Sequence, residues 1–393
     1  MNQRYLRILP FLLLFLFLYA CEKERDERAP DPVYLVESEL LDAFTAEELK
    51  SIIDDSGELP AELSLLIRYD ISVYRIEYLT VDTYDEPVLA SGALVVPDNI
   101  THMPLISFQH GTITSEADAP SYFSANIYLT TVLYASAGYI IALPDYLGYG
   151  SSQHLDHPYE HGHSLATASR DMLRSVREFD MENDDFTLNE KLFLTGYSQG
   201  GYATMALLKL LEEEHADEFT VTAATAGAGA YNKSMFARHI LESNVDLTYI
   251  NYFLWVLDTY NRVYGLNRPY DYFFDTPYAE IIEQDGIFAN NEKNPMKLFN
   301  SGFRSAVLRG DDPAFISAIA DNDNYDWKPA TPLELYHGTD DDFVFYFNSA
   351  TAYEAMTSRG ADSVELITIQ GGDHATTVSD YFTGTFLFFN SFK

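Results

Sequence analysis

The sequence has little cysteine, little positive charge and no long hydrophobic run outside its first twenty residues. Its 393 residues include one cysteine, 24 Lys and Arg, and 60 Asp and Glu, so the formal net charge is −36. A single cysteine excludes a framework of intramolecular disulfides. The excess of acid argues against partners such as nucleic acid or anionic lipid headgroups, because like charges repel.

The first residues are predicted to be a lipoprotein signal peptide, residues 1–20. Arg4 and Arg7 lead into an apolar run, Ile8–Tyr19, that has signal-peptide length and is short for a membrane-spanning helix. The run ends in the letters LYAC, which place the only cysteine, Cys21, at the cleavage point. This ending resembles the lipobox of bacterial lipoproteins, in which cleavage exposes the cysteine for acylation. The resemblance implies a lipid anchor on Cys21 in the bacterial cell envelope, with the outer membrane favoured; the alternative is an ordinary signal peptide with a stray cysteine.

Residues 21–37 are predicted to be a tether between the lipid and the folded domain. Residues 22–32 read EKERDERAPDP, a stretch that is charged, contains proline and is poor in apolar residues. Such composition cannot bury enough apolar surface to fold. Loss of the signal peptide with its two arginines would change the net charge to −38.

Residues 38–393 alternate between strand and helix patterns. A capping box of Thr45 and Glu48 predicts an early helix, and an antiparallel hairpin follows over 72–96. Asn348 is the predicted N-cap of a late helix. The other predicted strands are 105–108, 139–143, 192–194, 221–226, 333–336 and 364–369, and the helices are 45–53, 127–137, 163–179, 349–357 and one at the C terminus. This alternation predicts an α/β fold with a mostly parallel central sheet flanked by helices.

Residues 231–327 interrupt the alternation. They contain nineteen aromatic residues and no alternating strand pattern. Aromatic residues at helical spacing belong to the hydrophobic core more often than to a ligand-binding surface. A few of them are nevertheless enough to line an acyl pocket. We predict that this segment is a helical cap inserted between two strands of one sheet.

The stretch 191–211, KLFLTGYSQGGYATMALLKLL, joins a short apolar strand to an amphipathic helix through the motif G-x-S-x-G. Gly196 and Gly200 flank Ser198 at the sharp turn, where bulky neighbours would clash. A bare G-x-S-x-G occurs by chance in roughly one chain in ten of this length, so the strand and helix around it carry the prediction. A strand that passes into a helix through a serine is typical of the nucleophile elbow of the α/β-hydrolases.

An acid and a histidine follow the elbow in the order this fold requires. Asp341 lies in the pattern HG-x-x-D that begins at His337, and His374 follows the last predicted strand. With these residues the chain resembles α/β-hydrolase esterases and lipases. The letters VYRIEYLTV, ASGALVVP, PDYLGYG and GYSQGG resemble secreted lipases of the Candida antarctica lipase A type and their bacterial relatives.

The resemblance implies a role for each of these residues. Ser198 would be the nucleophile, His374 its general base, and Asp341 the acid that orients the histidine. The backbone N–H of Gln199 would be one oxyanion donor, and Thr112 is assigned as the second from its HG-x loop. We therefore predict an exported serine hydrolase that cleaves small-molecule or lipid carboxylic esters through an acyl-enzyme, without a cofactor.

Several alternatives remain open at this point. Four histidines at 154, 157, 161 and 163 could suggest a metal site, but their spacing matches no catalytic helix motif such as H-E-x-x-H, and we predict no metal. A carbohydrate esterase for acetyl or feruloyl groups would share the predicted residues. A peptidase of the prolyl-oligopeptidase kind would share the triad, but the roughly 40 residues between the tether and the first predicted sheet strand are too few for a propeller. A surface lipoprotein that binds a partner through its aromatic cap is the non-catalytic alternative.

Overall fold

The computed structural model describes residues 33–57, 61–125, 127–182 and 187–393. The predicted signal peptide, Cys21 and most of the predicted tether lie outside the described residues. Among the residues within these ranges, no helix combines the length and apolar character that crossing a bilayer requires.

Nine strands and thirteen helices are found in the described part of the chain. The strands are β1 (Leu35–Phe44), β2 (Ile71–Val81), β3 (Pro87–Pro97), β4 (Met103–Gln109), β5 (Ile140–Pro144), β6 (Leu188–Tyr197), β7 (Val221–Gly227), β8 (Leu333–Gly338) and β9 (Val364–Ile369). The helices are α1 (Ala46–Ser56), α2 (Leu129–Ser136), α3 (Gly162–Glu182), α4 (Gln199–Glu214), α5 (Lys233–Glu242), α6 (Ile250–Val263), α7 (Tyr270–Phe273), α8 (Tyr278–Asp285), α9 (Pro295–Leu298), α10 (Ser301–Arg309), α11 (Pro313–Ala320), α12 (Phe347–Ser358) and α13 (Val378–Asn390).

All nine strands belong to one sheet, in the order β1-β2-β3-β5-β4-β6-β7-β8-β9. β1, β2, β3 and β5 pair antiparallel in succession, and β5, β4 and β6 to β9 pair parallel. Every residue of β4 is buried, as expected for a central parallel strand covered on both faces. The predicted fold class, a mostly parallel sheet flanked by helices, is confirmed.

Helices cover both faces of the sheet. Apolar residues of α3, α4 and α12 pack on one face, and those of α1, α2 and α13 pack on the other. The capping box of Thr45 and Glu48 is present at the start of α1, as predicted. The segment between β7 and β8, all of which the structure describes, forms the seven helices α5 to α11. We call residues 231–327 the cap; its helices share an apolar cluster of their own that also includes Val344 from the loop after β8.

Two features differ from the sequence predictions. β1 was not predicted, because eight of its ten residues are exposed and an edge strand with no buried face carries no apolar alternation. It begins at Leu35, inside the range assigned to the tether, and the Glu178 carboxylate accepts the N–H groups of residues 33, 34 and 35. The predicted N-cap Asn348 is wrong: α12 begins at Phe347, and the Asn348 amide instead accepts the N–H of Asn232 in the cap, at 3.2 Å.

Candidate active site

The turn between β6 and α4 holds Ser198 in an unusual backbone conformation. Its φ of 61° and ψ of −121° lie where residues with a side chain are strained, at a cost of about 1–3 kcal/mol. The flanking glycines make the turn sterically possible. A Cβ on Gly200 would lie 2.0 Å from the carbonyl oxygen of Gln109, and one on Gly196 would lie 2.4 Å from the carbonyl oxygen of Gly200. Ser198 therefore stands at the carboxyl end of β6 and at the N-terminus of α4, where the helix dipole favours negative charge.

His374 lies between Ser198 and Asp341. Its Nε2 atom is 2.9 Å from the Ser198 Oγ, and its Nδ1 atom is 2.7 Å from Oδ2 of Asp341. A carboxylate only accepts hydrogen bonds, so Nδ1 carries the proton and Nε2 is left to accept from the serine hydroxyl. The structure thus brings together the three side chains that the sequence analysis selected, in the tautomer that proton removal from Ser198 requires.

Asp341 is fully buried and surrounded by donors. Its Oδ1 accepts the N–H groups of Phe343 at 3.0 Å and Val344 at 2.9 Å, and Nε2 of His337 lies 3.4 Å from Oδ2. Burial alone raises the pKa of the Asp341 carboxyl, but the hydrogen bonds from His337 and His374 and their charges outweigh burial and lower this pKa to about 2. Asp341 is therefore ionised at neutral pH. In the sequence, His337 only marks the start of the HG-x-x-D pattern, and its contact with Asp341 was not predicted.

Besides Ser198 and Asp341, two aromatic residues also contact His374. The Tyr197 hydroxyl donates to the His374 carbonyl oxygen at 2.8 Å, and the centroid of its ring is 5.2 Å from the imidazole. The Phe343 ring lies 4.9 Å from the same imidazole. Neither was selected from the sequence, although both adjoin selected motifs: Tyr197 precedes the elbow serine and Phe343 follows the aspartates.

The two predicted oxyanion donors lie in different segments: Gln199 is the first residue of α4, and Thr112 is in the loop after β4. The side chain of Gln199 donates to Nε2 of His157 at 2.8 Å, while Nδ1 of His157 donates to the Leu147 carbonyl oxygen at 2.6 Å. Burial lowers the pKa of His157 to about 3, so this imidazole stays neutral and can accept from the amide. Thr112 lies in the loop after β4, with its hydroxyl 2.8 Å from the hydroxyl of Tyr159.

The histidines of the 154–163 loop have separate surroundings. His154 and His163 are exposed, and His163 contacts Asp85 at 3.0 Å; His161 is buried against Ser164, 3.0 Å from its hydroxyl. Among the described residues, no group of three or more His, Cys, Asp or Glu side chains is arranged to hold a metal ion.

A cavity of about 100 Å³ leads from Ser198 into the cap. Aromatic and aliphatic side chains of α5, α6, α10 and α11 form most of its walls. Representative wall residues are Phe236, Ile240, Leu257, Phe303 and Phe315. The cap segment thus supplies an apolar surface next to the elbow serine, and Lys233 of the cap forms an ion pair with Glu160 of the 154–163 loop.

Residues 121–384, which include Ser198, Asp341 and His374, match the family described as secretory lipase. The chain belongs to the secretory lipase family. Lipase 10 of Candida albicans is 23% identical over 333 residues, which span 77% of this chain and 68% of that protein.

Solved structures share this fold. The lpg1103 protein of Legionella pneumophila has a TM-score of 0.82 at 26% identity, covering 91% of this chain and 98% of that one. The rice cell wall degrading esterase LipA of Xanthomonas oryzae has a TM-score of 0.74 at 24% identity, covering 91% and 96%. Candida antarctica lipase A has a TM-score of 0.62 at 14% identity, covering 90% and 83%. The predicted resemblance is confirmed, and this secretory lipase family member is a carboxylic ester hydrolase.

Proposed function

We propose that this protein is an exported, lipid-anchored serine hydrolase that cleaves carboxylic esters through an acyl-enzyme on Ser198. The observation that carries the proposal is the position of His374, hydrogen-bonded at one ring nitrogen to Ser198 and at the other to Asp341. Membership of the secretory lipase family supports both export and the ester substrate.

Acylation begins when the Ser198 Oγ attacks the ester carbonyl carbon and its proton passes to Nε2 of His374. The imidazolium that forms lies next to the ionised Asp341, which stabilises the positive charge and keeps the ring in place. The carbonyl oxygen becomes an oxyanion, and we assign the N–H groups of Gln199 and Thr112 as its donors. The positive end of α4 adds to this stabilisation.

Collapse of the tetrahedral intermediate breaks the ester bond. The departing alkoxide takes the proton from His374 and leaves as the alcohol, while the acyl group stays on Ser198. A water molecule then gives a proton to His374 and attacks the acyl carbon. The second intermediate expels Ser198, which regains the proton, and the carboxylic acid is released. These steps need no group beyond the side chains and a water molecule.

The acyl chain is assigned to the cavity beneath the cap. The cavity begins at Ser198 and its walls are largely apolar, so a bound acyl chain would replace water along its length. Apolar walls that exclude water also strengthen the oxyanion hydrogen bonds, because the local dielectric constant is low. Each methylene buried there can contribute up to about 0.8 kcal/mol.

The anchor is assigned to acylation of Cys21, which lies outside the described residues. Two or more acyl chains hold a protein stably on a membrane, whereas a single chain gives only marginal binding. A cell-envelope location is compatible with the acidic surface, because the lipid and not the protein surface would make the attachment.

Labelling with a fluorophosphonate probe tests the nucleophile. Ser51 is exposed on α1, so Ser51→Ala serves as the control. We expect the wild type and this control to be labelled and to hydrolyse p-nitrophenyl butyrate. Ser198→Ala should lose the label and at least about 10⁴-fold in kcat. If Ser198→Ala keeps the label and near wild-type kcat, another residue is the nucleophile and the proposal is wrong.

A further inference from the structure

A buried ion pair stands in the wall of the otherwise apolar cavity. Glu160 and Lys233 are the only charged side chains among the described residues that line it, and their side chains are 7% and 5% exposed. The Glu160 carboxylate contacts the Lys233 ammonium directly. We propose that this pair binds a hydroxyl group carried by the acyl chain of the substrate close to the ester carbonyl. The inference rests on the proposed function, because it assigns the cavity to the acyl chain.

An ion pair is an unusual component for a surface that only has to bind hydrocarbon. Removing two charges from water is costly, and apolar residues of similar size are often at least as stabilising in such positions. Two tyrosine hydroxyls nearby already have partners: the Tyr260 hydroxyl donates to the Glu160 carbonyl oxygen at 2.8 Å, and the Tyr159 hydroxyl contacts Thr112. The charged pair, in contrast, keeps hydrogen-bonding capacity to spare.

Both members of the pair have unused hydrogen-bonding positions. An ammonium has three N–H donors and a carboxylate can accept about four hydrogen bonds. Lys233 uses one donor on Glu160, and its Nζ lies 3.7 Å from the centroid of the Tyr202 ring. Among the described residues, only Lys233 donates to the Glu160 carboxylate.

A donor beside an acceptor matches the chemistry of a hydroxyl group. A hydroxyl can accept from the Lys233 ammonium and donate to the Glu160 carboxylate at the same time. A charged ligand group would be attracted by one member of the pair and repelled by the other, so it would gain little to offset the loss of its hydration in this buried wall. The pair therefore selects a neutral hydroxyl over either charged group and over a plain methylene.

The pair lies at the catalytic end of the cavity. Tyr202, whose ring faces Lys233, is in the first turn of α4, and its N–H donates to the Ser198 carbonyl oxygen at 3.0 Å. Glu160 and Lys233 line the same cavity as Ser198. The proposal therefore places the hydroxyl a few bonds from the ester carbonyl.

The test compares kcat/KM for ethyl hexanoate, ethyl 3-hydroxyhexanoate and ethyl 6-hydroxyhexanoate. The variant is Glu160→Leu with Lys233→Met, which removes both charges and every side-chain hydrogen-bonding group of the pair and leaves no unpaired buried ion. The control is Arg268→Met with Asp312→Asn, which removes a second largely buried ion pair of the cap that does not line the cavity. The readout is the ratio between substrates, so a general loss of activity cancels.

We expect the wild type and the control to prefer the 3-hydroxy ester over the plain ester by about tenfold, and over the 6-hydroxy ester as well. In the Glu160/Lys233 variant this preference should fall to near unity. An unchanged ratio in that variant, or no preference in the wild type, overturns the inference. Fluorophosphonate labelling of the same proteins distinguishes failure of the proposed nucleophile from failure of the hydroxyl site. An unlabelled wild type refutes the proposed nucleophile. A labelled enzyme without the preference refutes only the hydroxyl site.

Discussion

Four aspartates, at 340, 341, 342 and 373, are candidates for the acid that orients His374, and we predict that only Asp341 is needed. Asp340, Asp342 and Asp373 are exposed, while Asp341 is buried with Oδ2 at 2.7 Å from Nδ1 of His374. The perturbation is replacement of each aspartate by asparagine, which keeps the size of the side chain and removes its charge. The three exposed positions serve as matched controls.

The expected loss follows from the tautomer of His374. An asparagine amide can donate to Nδ1, which moves the ring proton to Nε2 and leaves no acceptor for the Ser198 hydroxyl. A loss of about 10⁴-fold in kcat is expected for Asp341→Asn, by analogy with the same substitution in a serine protease triad. Asp373 accepts the N–H groups of Ala375 and Thr376, so Asp373→Asn should have a far smaller effect.

The same carboxylate should contribute to stability at neutral pH. Its pKa is lowered from 3.8 to about 2 in the folded protein, which corresponds to about 2 kcal/mol of unfolding free energy. Because the folded pKa is the lower one, this contribution is complete above about pH 5 and is lost as the pH falls towards 2. Urea unfolding of wild type and Asp341→Asn should therefore differ most near pH 7 and least at the acid end.

The assay is hydrolysis of p-nitrophenyl butyrate by the four variants, with circular dichroism to verify folding. The largest loss of kcat should fall on Asp341→Asn. A larger loss at position 340 or 342, or near wild-type kcat for Asp341→Asn, would refute the assignment of the acid.

Three further predictions address the anchor, the cavity and the elbow. Cys21→Ser should move the enzyme from the membrane pellet to the soluble fraction of cells that express it; a variant that stays in the pellet has another anchor. In a series of C2, C4, C8 and C12 p-nitrophenyl esters, kcat/KM should rise from C2, by up to about fourfold for each methylene whose burial is fully realised. A monotonic fall from C2 would favour an esterase for acetyl or other small acyl groups, as on polysaccharide. Gly200→Ala places a Cβ 2.0 Å from a backbone oxygen, so the displaced turn should slow fluorophosphonate labelling by about 10²-fold; an unchanged labelling rate would contradict the steric argument.

Local patterns made the elbow and the sheet predictable. The apolar strand, the two glycines, Ser198 and the helix follow one another in 21 residues, so their geometry depends little on the rest of the chain. Asp341 and His374 follow predicted strands, and the carboxyl ends of parallel strands meet at one edge of the sheet. Chain order was therefore enough to select the residues that the structure brings together.

Features that depend on distant contacts were not predictable. The exposed edge strand β1 is set by backbone pairing with β2, which leaves no apolar pattern in the sequence. Glu160 stood in a polar, histidine-rich loop that composition places at the surface. It is buried because the cap folds over the loop and brings Lys233, 73 residues further along the chain, against its carboxylate. The placement of Asn348 inside α12, in contact with the cap, has the same origin.

Trapping the acyl-enzyme tests the central assignment most directly. The wild type and Ser198→Ala would each be mixed with p-nitrophenyl butyrate, quenched in acid during turnover, and digested for mass spectrometry. We predict a butyryl group on the peptide that contains Ser198 in the wild type, assigned to that residue by fragmentation, and no such group in Ser198→Ala. A butyryl group on a different residue, or sustained turnover with no acylation of Ser198, would contradict the proposed mechanism.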